Sequence, residues 1–416
     1  MRVLQLKSNH VDARLNLCNV LFAQKYEAAA EKCYKDVLAV NPNYVRGIVN
    51  LASYYDYIAN ADAEADGATS EVAKAIELYQ KALKLDPKNA MAKHALAALV
   101  VDTDTGAGST SSKTKEMDSE YVRDLFDSYS FHFDVSLLVD LQYKSHLLVA
   151  NSIASYYRDI SHIIPSCDSD SPAPRILDLG AGTGLACSPI RDTLTALCDG
   201  DTDTDTDIPI PATIIGVDIS SKMLDRARSK TCYDLLVEGE IVSYLASQAT
   251  QTHFDIVVSS DVVNYFGDVH PLLTSVAAVL RRPASSESEG GANRGGLFVF
   301  TVEDLDKTHS RPLHTSKEKE DKDRDSSADK QEQSCPGEQG TCDATSSLYR
   351  LQRSGRFAHS EGYIRQAVAE TEVEGGRTGA LTVQSITPEV LRYDKSRPVH
   401  GLLVVLERTQ AIGHRK

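Results

Sequence analysis

The residues best placed to do chemistry lie in one stretch, residues 175–184, which read Arg-Ile-Leu-Asp-Leu-Gly-Ala-Gly-Thr-Gly. The apolar residues before the glycines are typical of a buried parallel strand. Gly180, Ala181 and Gly182 leave almost no side chain at the turn, so a ligand can approach the backbone closely. An apolar pattern resumes at Leu185 and predicts a helix whose N-terminus points at that ligand. Strand, glycine turn and helix in this order predict the nucleotide-binding corner of a doubly wound α/β sheet.

Acidic residues stand near the ends of the predicted strands, where the polar groups of a nucleotide need partners. Asp178 lies just before the glycine turn, and Asp218 ends a second strand predicted for residues 212–218. A carboxylate at the end of the second strand suits the two ribose hydroxyls, because it can accept both of their hydrogens. A third predicted strand, residues 233–241, carries Glu240 near its end. These positions predict a nucleotide-binding site at one edge of the sheet.

The glycine pattern argues against one class of nucleotide. A dinucleotide-binding turn needs a third glycine three residues after the second, and Leu185 stands at that position. The sequence therefore disfavours a nicotinamide-dependent oxidoreductase, which remains the enzymatic alternative.

The N-terminal quarter of the chain, residues 1–101, has helical spacing and contains an internal repeat. Segments 31–42 and 76–87 superpose without a gap, each with tyrosine at its fourth position and proline at its end. Both resemble the second helix and closing proline of a tetratricopeptide repeat, so two repeats and a closing helix are predicted. A generic helical bundle is the alternative. The polar residues 102–119 predict a linker that few contacts cross.

Four motifs in the second half of the chain together resemble the class I S-adenosylmethionine-dependent methyltransferases. They are Leu-Asp-Leu-Gly-Ala-Gly-Thr-Gly at 177–184, Gly-Val-Asp-Ile-Ser at 216–220, Tyr-Asp-Leu-Leu-Val-Glu-Gly-Glu at 233–240 and Phe-Asp-Ile-Val-Val-Ser-Ser-Asp-Val at 254–262. This half is also similar to the methyltransferase-like protein 27 group. Taken with the N-terminal repeats and with the segments 354–360 and 391–393, the whole chain resembles methyltransferases that bear tetratricopeptide repeats.

The resemblance implies both a fold and a cofactor. The fold is α/β, a Rossmann-like seven-stranded class I methyltransferase sheet, preceded by an all-α tetratricopeptide-repeat domain. Strands predicted over residues 381–386 and 399–406 would complete that sheet. The cofactor is S-adenosylmethionine.

The family's cofactor-binding roles carry over to matching positions of this chain. The residue matching Met223 packs against the adenine in the family, and the one matching Glu240 accepts the adenine amino group. Tyr129 and Phe133 lie in aromatic-rich leading residues, and each either covers the cofactor or packs in the core. The cofactor-binding residues predicted in this way are Asp178, Gly180, Ala181, Gly182, Asp218, Ile219, Met223, Glu240, Asp261 and Tyr129.

Catalytic candidates come from the carboxyl ends of the fourth and fifth predicted strands and from segment 354–360. A base is needed only if the acceptor must lose a proton. The candidate bases are Asp261, His359 and Glu303, and Asp261 is also a candidate contact to the charged tail of the cofactor. Arg356 and His359 match a family motif, and either hold an acidic acceptor or pair structurally. The histidines predicted to be surface or packed residues are His132, His146 and His253.

Composition limits the partners of the protein. A formal net charge of −15 argues against a large nucleic-acid surface, so a small-molecule or peptide acceptor is expected. No apolar run approaches the length of a membrane span, and the first residues lack a signal core, so no membrane contact and a cytoplasmic location are expected. The eight cysteines form no Cys-x-x-Cys pair and are expected to be free thiols, with no metal site.

Polar segments divide the chain. Residues 198–210, 283–294 and 304–346 have compositions that predict disordered insertions. The predicted organisation is a repeat domain at 1–101, a linker at 102–119 and a methyltransferase domain at 120–410. The repeats are expected to bind a protein partner or the substrate. The alternative from another class is a binding protein, in which the repeats form a scaffold and the second half binds S-adenosylmethionine without catalysis.

Overall fold

The computed structural model describes residues 10–61, 68–103, 116–130, 133–159, 173–198, 212–249, 253–283, 294–308, 349–352, 354–374, 380–394 and 397–409. The predicted insertions lie almost entirely outside these ranges, as do residues 104–115 of the predicted linker. Disorder of those segments therefore stays a prediction.

Five α-helices are described in the N-terminal part. Their bounds are α1 Val11–Ala23, α2 Glu27–Val40, α3 Val45–Ala61, α4 Ala68–Leu85 and α5 Ala90–Thr103. The tyrosines of the two repeated segments make equivalent contacts with the preceding helix. The Tyr34 hydroxyl donates to Asn19 Oδ1 over 2.9 Å, and the Tyr79 hydroxyl lies 2.9 Å from Ser53 Oγ. Both tyrosines are buried, so these bonds satisfy hydroxyls that water cannot reach.

The second half of the chain alternates strands and helices, as the sequence predicts. Its strands are β1 Arg175–Leu179, β2 Thr213–Asp218, β3 Leu235–Glu238, β4 Ile256–Ser259, β5 Leu297–Asp304, β6 Tyr349–Leu351, β7 Phe357–His359, β8 Ala380–Asp394 and β9 Arg397–Thr409. Its α-helices are α6 Ser119–Tyr129, α7 Phe133–Val135, α8 Ser145–Asp159, α9 Cys187–Cys198, α10 Ser221–Ser229, α11 Ile241–Gln248, α12 His270–Val279, α13 Leu305–Thr308 and α14 Glu361–Glu374. A π-helical segment, Ser136–Asp140, follows α7, and a 3-10 turn, Val263–Tyr265, follows β4.

The predicted α/β sheet is confirmed, but the described residues give it nine strands where seven were predicted. Parallel strands run in the order β3-β2-β1-β4-β5, and β9 pairs antiparallel with β5 and carries β8 at its outer edge. Strands β6 and β7 add a hairpin that the sequence did not resolve into strands. This hairpin attaches at the end of β5, where Glu303 pairs with Ala358. It therefore brings segment 354–360 to the carboxyl edge of the sheet.

Strand β8 is much longer than the predicted strand over residues 381–386. Register shifts between Val383 and Ser385, and between Val390 and Arg392, mark irregularities along its pairing with β9. Such bulges let a strand bend and continue rather than end. The extension carries Arg392 to the carboxyl end of β5.

Successive residues of each strand point to opposite faces of the sheet, and both faces carry apolar side chains. Helices therefore pack against both faces. Leu177 and Val257 belong to the apolar cluster shared with α11, α12 and α14. Ile176 and Ile256 belong to the cluster shared with α8 and α9. A doubly wound sheet of this kind leaves the carboxyl ends of its strands open to a ligand.

Contacts cross the predicted boundary between the two halves. Ala98 of α5 is buried in a small apolar cluster with Met117, Tyr265, Leu351 and Phe357. The adjacent turn of α5 contributes a hydrogen bond, since His94 Nε2 lies 2.8 Å from the carbonyl oxygen of Gly355. The N-terminal helices therefore lie against the hairpin at the end of β5.

The expectation that all cysteines are free thiols is wrong. Cys18 is bonded to Cys33, between α1 and α2, and Cys187 is bonded to Cys232, between the start of α9 and the loop before β3. The fold places the Cα atoms of these pairs 5.4 and 6.1 Å apart, within the range that a disulfide spans. Sequence spacing did not reveal either pair. None of the described helices combines the length and apolar character needed to cross a membrane.

Candidate functional site

A cavity of about 490 Å³ opens at the carboxyl ends of β1, β2 and β4. The glycine turn lines one side of it, and Phe126 and Phe133 of α6 and α7 line another. Residues predicted from separate motifs meet here. The predicted residues that line the cavity are Asp178, Gly180, Ala181, Gly182, Asp218, Ile219, Glu240, Asp261 and Arg356.

The glycine turn has the backbone conformation that its sequence requires. Gly180 and Gly182 have φ of 74° and 53°, in the left-handed region that residues with side chains avoid. A Cβ at Gly180 would also overlap the side chain of Val262, which follows β4. The amides of Gly180 and Ala181 both donate to the carbonyl of Val217 at 2.8 and 3.0 Å. These bonds tie the turn to the end of β2.

Asp218 lies where a ribose-binding carboxylate is predicted, and the backbone holds it in place. Its Oδ2 accepts the Gly182 amide and its Oδ1 accepts the Ser220 amide, each at 2.8 Å. Burial raises the pKa of Asp218, and these backbone N–H groups oppose the rise. Each carboxylate oxygen has a second lone pair, so Asp218 can still accept two further hydrogens.

Asp178 is buried directly beneath the glycine turn. Its Oδ2 accepts the hydroxyl hydrogen of Tyr233 over 2.6 Å. Burial raises the pKa of Asp178 to about 6, against the effect of that hydrogen bond. The Tyr233 partner was not predicted, and its position next to the acid-bearing third motif is the only sequence signal for it.

Of the two residues predicted to contact the adenine, only one lines the cavity. Glu240 lines the cavity and caps α11, accepting the amides of Val242 and Ser243 at 2.8 and 2.7 Å. Met223 is fully buried and is not among the residues lining the cavity. Met223 is therefore a core residue in this structure. Tyr129 ends α6, and its side chain lies outside the part of the structure that is described.

Two acids that the sequence reading did not single out tether the leading helices over the cavity. Asp127 of α6 accepts the hydroxyl hydrogen of Ser220, which caps α10, over 2.6 Å. Asp134 of α7 accepts the hydroxyl hydrogen of Thr183 in the glycine turn and forms an ion pair with Lys230 at 2.9 Å. These bonds hold the aromatic side chains of α6 and α7 against the nucleotide-binding edge of the sheet.

A buried cluster of four charged groups forms the far end of the site. Arg392 Nη1 lies 3.1 Å from Asp261, and Arg392 Nη2 donates to Glu303. Arg356 Nη1 lies 3.2 Å from Asp261 and 3.6 Å from Glu303. The cluster pairs two positive with two negative charges. Arg392 belongs to a recognised terminal motif, but no role for it was predicted.

His359 does not reach the cavity, contrary to its selection as an acceptor-side residue. It is fully buried, and its Nε2 lies 2.8 Å from the carbonyl oxygen of Phe266. Because a carbonyl oxygen only accepts hydrogen bonds, Nε2 must be the donor. Burial lowers the pKa of His359 to about 4, so the ring is neutral. The ring also stacks on Tyr363 at 5.9 Å. These contacts support the alternative that His359 has a structural role and does not hold the acceptor.

Comparison with known families adds an independent observation to this geometry. Residues 177–284, from β1 to just past α12, match the family model described as a methyltransferase domain. This part of the chain is therefore similar to a methyltransferase domain.

Several solved methyltransferases are similar to this chain at low identity. Magnesium protoporphyrin IX methyltransferase from Synechocystis with bound SAH is 13% identical and covers 70% of this chain and 100% of its own, with a TM-score of 0.38. A methyltransferase from Clostridium acetobutylicum is 15% identical over 68% of this chain and 98% of its own, with a TM-score of 0.35. Plantazolicin methyltransferase is 12% identical over 70% and 96%, with a TM-score of 0.39. No curated protein sequence matches the chain.

The lining of the cavity also includes a histidine for which no site role was predicted. His146 was predicted to be a surface or packed residue, but it lines the cavity together with Tyr143. In the sequence, only its position three residues after Tyr143, at the start of the helix before β1, distinguishes it. The described residues contain no group of three metal-ligating side chains placed to hold an ion.

Proposed function

We propose that this chain transfers a methyl group from S-adenosylmethionine to a small-molecule or peptide-borne acceptor. The observation that carries the proposal is the cavity itself, in which the glycine turn and Asp218 share one space with the charged cluster at the ends of β4 and β5. One end has the chemistry to hold a nucleoside. In the proposal, the other end receives the acceptor.

Each part of the cavity has a distinct task in this proposal. Asp218 accepts hydrogens from the ribose, and Glu240 with the start of α11 contacts the adenine. Phe126 and Phe133 exclude water. The cofactor supplies an already activated methyl group, so the protein contributes mainly alignment. No general base is required unless the acceptor must lose its proton.

The charges of the cavity support a neutral or basic acceptor. Among the described residues lining the cavity, Arg356 is the one with a permanent positive charge, and Asp261 and Glu303 already pair with it. An acidic acceptor would have to compete with both carboxylates. Nucleic acid needs several phosphate contacts from Lys and Arg, and this lining does not offer them.

For the N-terminal helices, we propose that they are tetratricopeptide repeats that bind a protein partner or present the acceptor. The equivalent contacts of Tyr34 and Tyr79 support a repeat, as does the in-register match of their segments. Removing residues 1–101 should then leave donor binding intact and reduce methyl transfer to the acceptor in cell extract. Loss of donor binding on this truncation would instead make the helices part of the catalytic fold.

The Asp218→Ala variant tests the cofactor assignment. Removing hydrogen bonds to a charged acceptor costs about 1.5–3 kcal/mol each, so affinity for S-adenosylmethionine should fall about 100-fold or more. Asp225→Ala, which changes an exposed aspartate of neighbouring α10, should bind normally. Calorimetric titration with S-adenosylmethionine and NAD measures both variants. Unchanged affinity in a folded Asp218→Ala protein would refute the assignment.

Labelled donor added to fractionated extract then tests transfer. Label in small-molecule or protein fractions supports the proposal, and label in nucleic acid contradicts it. Tight binding without any label transfer would favour the non-catalytic scaffold.

A further inference from the structure

We propose that the disulfide between Cys187 and Cys232 is a reversible switch that sets the affinity of the cavity for the methyl donor. The oxidised pair holds the glycine turn in its donor-binding form, and reduction by a small thiol of the glutathione type loosens the turn. The inference goes beyond the proposed function but rests on it, because the affinity that changes is that for S-adenosylmethionine.

The bridge joins two segments that lie next to the glycine turn. Cys187 is the first residue of α9 and follows Gly184, the last glycine of the turn, by three residues. Cys232 lies in the loop between α10 and β3 and immediately precedes Tyr233. Cys187 and Cys232 are 0% and 8% exposed, and both belong to the apolar cluster shared with α8 and α9. A change at this bond is therefore a change within the packing that supports the turn.

Tyr233 connects the bridge to the turn. Its hydroxyl donates to Asp178 Oδ2 over 2.6 Å. Its ring also packs on the turn, since a Cβ added at Gly184 would come within 3.0 Å of a ring carbon. The amide of Gly184 donates to the carbonyl of Ala181 over 2.8 Å, which closes the turn. The residue next to Cys232 therefore contacts both the acid below the turn and the backbone of the turn itself.

The loop that carries Cys232 has a strained backbone. Thr231, immediately before Cys232, has a φ of 52°. A β-branched residue rarely occupies this left-handed region, because its Cβ approaches the following carbonyl oxygen. Two thiol sulfurs also need more room than two bonded sulfurs. Reduction therefore removes a tie that holds the strained loop and pushes the loop away from the start of α9, so that Tyr233 moves relative to the turn.

A second contact keeps the reduced cysteines close enough to form the bond again. Arg191, one turn further along α9, donates through Nε to the carbonyl of Cys232 over 2.8 Å and pairs with Asp234 at 2.7 Å. These bonds hold the loop on α9 when the sulfurs separate. The arrangement therefore suits a reversible change and not a permanent opening.

Reduction proceeds by thiol–disulfide exchange. The thiolate of one small thiol attacks the sulfur of Cys232, the more exposed partner, and Cys187 leaves as a thiolate. A second small thiolate attacks the mixed disulfide, so that Cys232 leaves and the two small thiols become joined by a disulfide. The protein gains two electrons and two protons, and the small thiols lose them. The reverse steps restore the bridge.

The test measures donor affinity in both states of the full-length chain. The chain is equilibrated in glutathione buffers of defined ratio, alkylation with mass spectrometry quantifies each cysteine pair, and S-adenosylmethionine is titrated calorimetrically. The reduced chain should bind about fivefold or more weakly than the oxidised chain. Because coupling is reciprocal, saturating donor should shift the buffer ratio at half-oxidation of Cys187 and Cys232 by the same factor. Equal affinities in the two states, or a pair that stays oxidised in fully reducing buffer, would overturn the proposal.

Paired variants assign the effect to one of the two described bridges. Cys187→Ser combined with Cys232→Ser cannot form the bond, so this variant should bind the donor like the reduced chain in every buffer. Cys18→Ser combined with Cys33→Ser removes the bridge between α1 and α2 and should keep the full response. A response that survives in the first variant, or is lost in the second, would contradict the assignment.

Hydrogen exchange without donor separates the switch from the proposed function. Reduction of the chain that carries Cys18→Ser and Cys33→Ser should speed exchange at residues 180–184, because their turn loses support from Tyr233. Unchanged exchange there would overturn the switch without touching the proposed function. Failure of the oxidised chain to bind S-adenosylmethionine would overturn the proposed function, and the claim about affinity with it, whatever the exchange shows.

Discussion

The two ends of the cavity are built from different kinds of sequence information. The donor half comprises the glycine turn, Asp218 and Glu240, each a few residues from the end of one strand. The other end, which we propose receives the acceptor and call the acceptor half, has Asp261 and Arg356 in its lining, with Glu303 and Arg392 paired to them behind the lining. These four residues come from four separate elements and contact one another only in the fold. The donor half therefore depends on local backbone conformation, and the acceptor half depends on long-range charge pairing.

The strongest test of this difference is Arg392→Met. Arg392 is 5% exposed and contacts both buried carboxylates of the acceptor half. Removing one partner of a buried ion pair leaves uncompensated charge and costs about 3–5 kcal/mol. We expect chemical denaturation to show a loss of this size. Arg356→Met should lose less, because the side chain of Arg356 is 21% exposed and Arg392 remains to pair both acids. Equal losses of stability would contradict the prediction that Arg392 stabilises the charged cluster more than Arg356 does.

The matching test of the donor half is Gly180→Ala. A left-handed φ of 74° strains any residue with a Cβ, and the added atom would overlap Val262. Strain and overpacking together should cost about 2–4 kcal/mol and should also weaken donor binding. Gly239→Ala is the control, since nothing lies within 4 Å of a Cβ there. Denaturation and donor titration measure both variants. A fully stable Gly180→Ala protein that binds donor normally would show that the turn is not constrained.

This difference explains what sequence reasoning could reach. The turn at Gly180 and the carboxylate of Asp218 were predictable, because each is specified by residues close by in the chain. Arg392 was not, since its role depends on a bulged strand that joins the sheet about 130 residues after Asp261. His359 was misplaced for the same reason. The sequence motif places His359 in the segment at the end of β5, but only its contacts with Phe266 and Tyr363 show that the ring is buried away from the cavity.

Asp178 provides a smaller test within the donor half, through pH. Its pKa is raised from 3.8 to about 6 by burial, so the folded state holds this proton more tightly than the unfolded state. The contribution of Asp178 to stability is therefore fully present at pH below about 4 and is lost as pH rises through about 6. Asp178→Asn stays neutral throughout. Its unfolding free energy relative to the unaltered chain should rise by about 1–1.5 kcal/mol between pH 5 and pH 7.5.

Denaturation curves at several pH values measure that slope. The control is Asp225→Asn, which changes an exposed aspartate of α10 outside the cavity and should give the same curves as the unaltered chain. Parallel pH curves for Asp178→Asn and the unaltered chain would mean that the buried carboxylate is not the source of the shift.

The smallest expected effect concerns the contact between the N-terminal helices and the acceptor half. His94 donates to the carbonyl of Gly355, next to Arg356, and its ring lies 4.4 Å from that of Tyr121. Burial lowers the pKa of His94, which keeps the ring neutral at pH 7. His94→Phe keeps an aromatic ring but removes the donor, and one such bond contributes about 1 kcal/mol.

The position of this bond decides which half of the cavity responds to its loss. We expect faster hydrogen exchange at residues 355–359 in His94→Phe, because their turn loses an anchor from α5, while S-adenosylmethionine affinity stays within about twofold. Lys93→Ala, one residue earlier and exposed, should change neither quantity. If exchange at 355–359 is unaltered, the two halves of the chain are energetically separate, as the polar linker suggests. If the affinity for the donor falls as well, the two halves of the cavity are energetically coupled. The donor half would then depend on long-range contacts and not only on local backbone conformation.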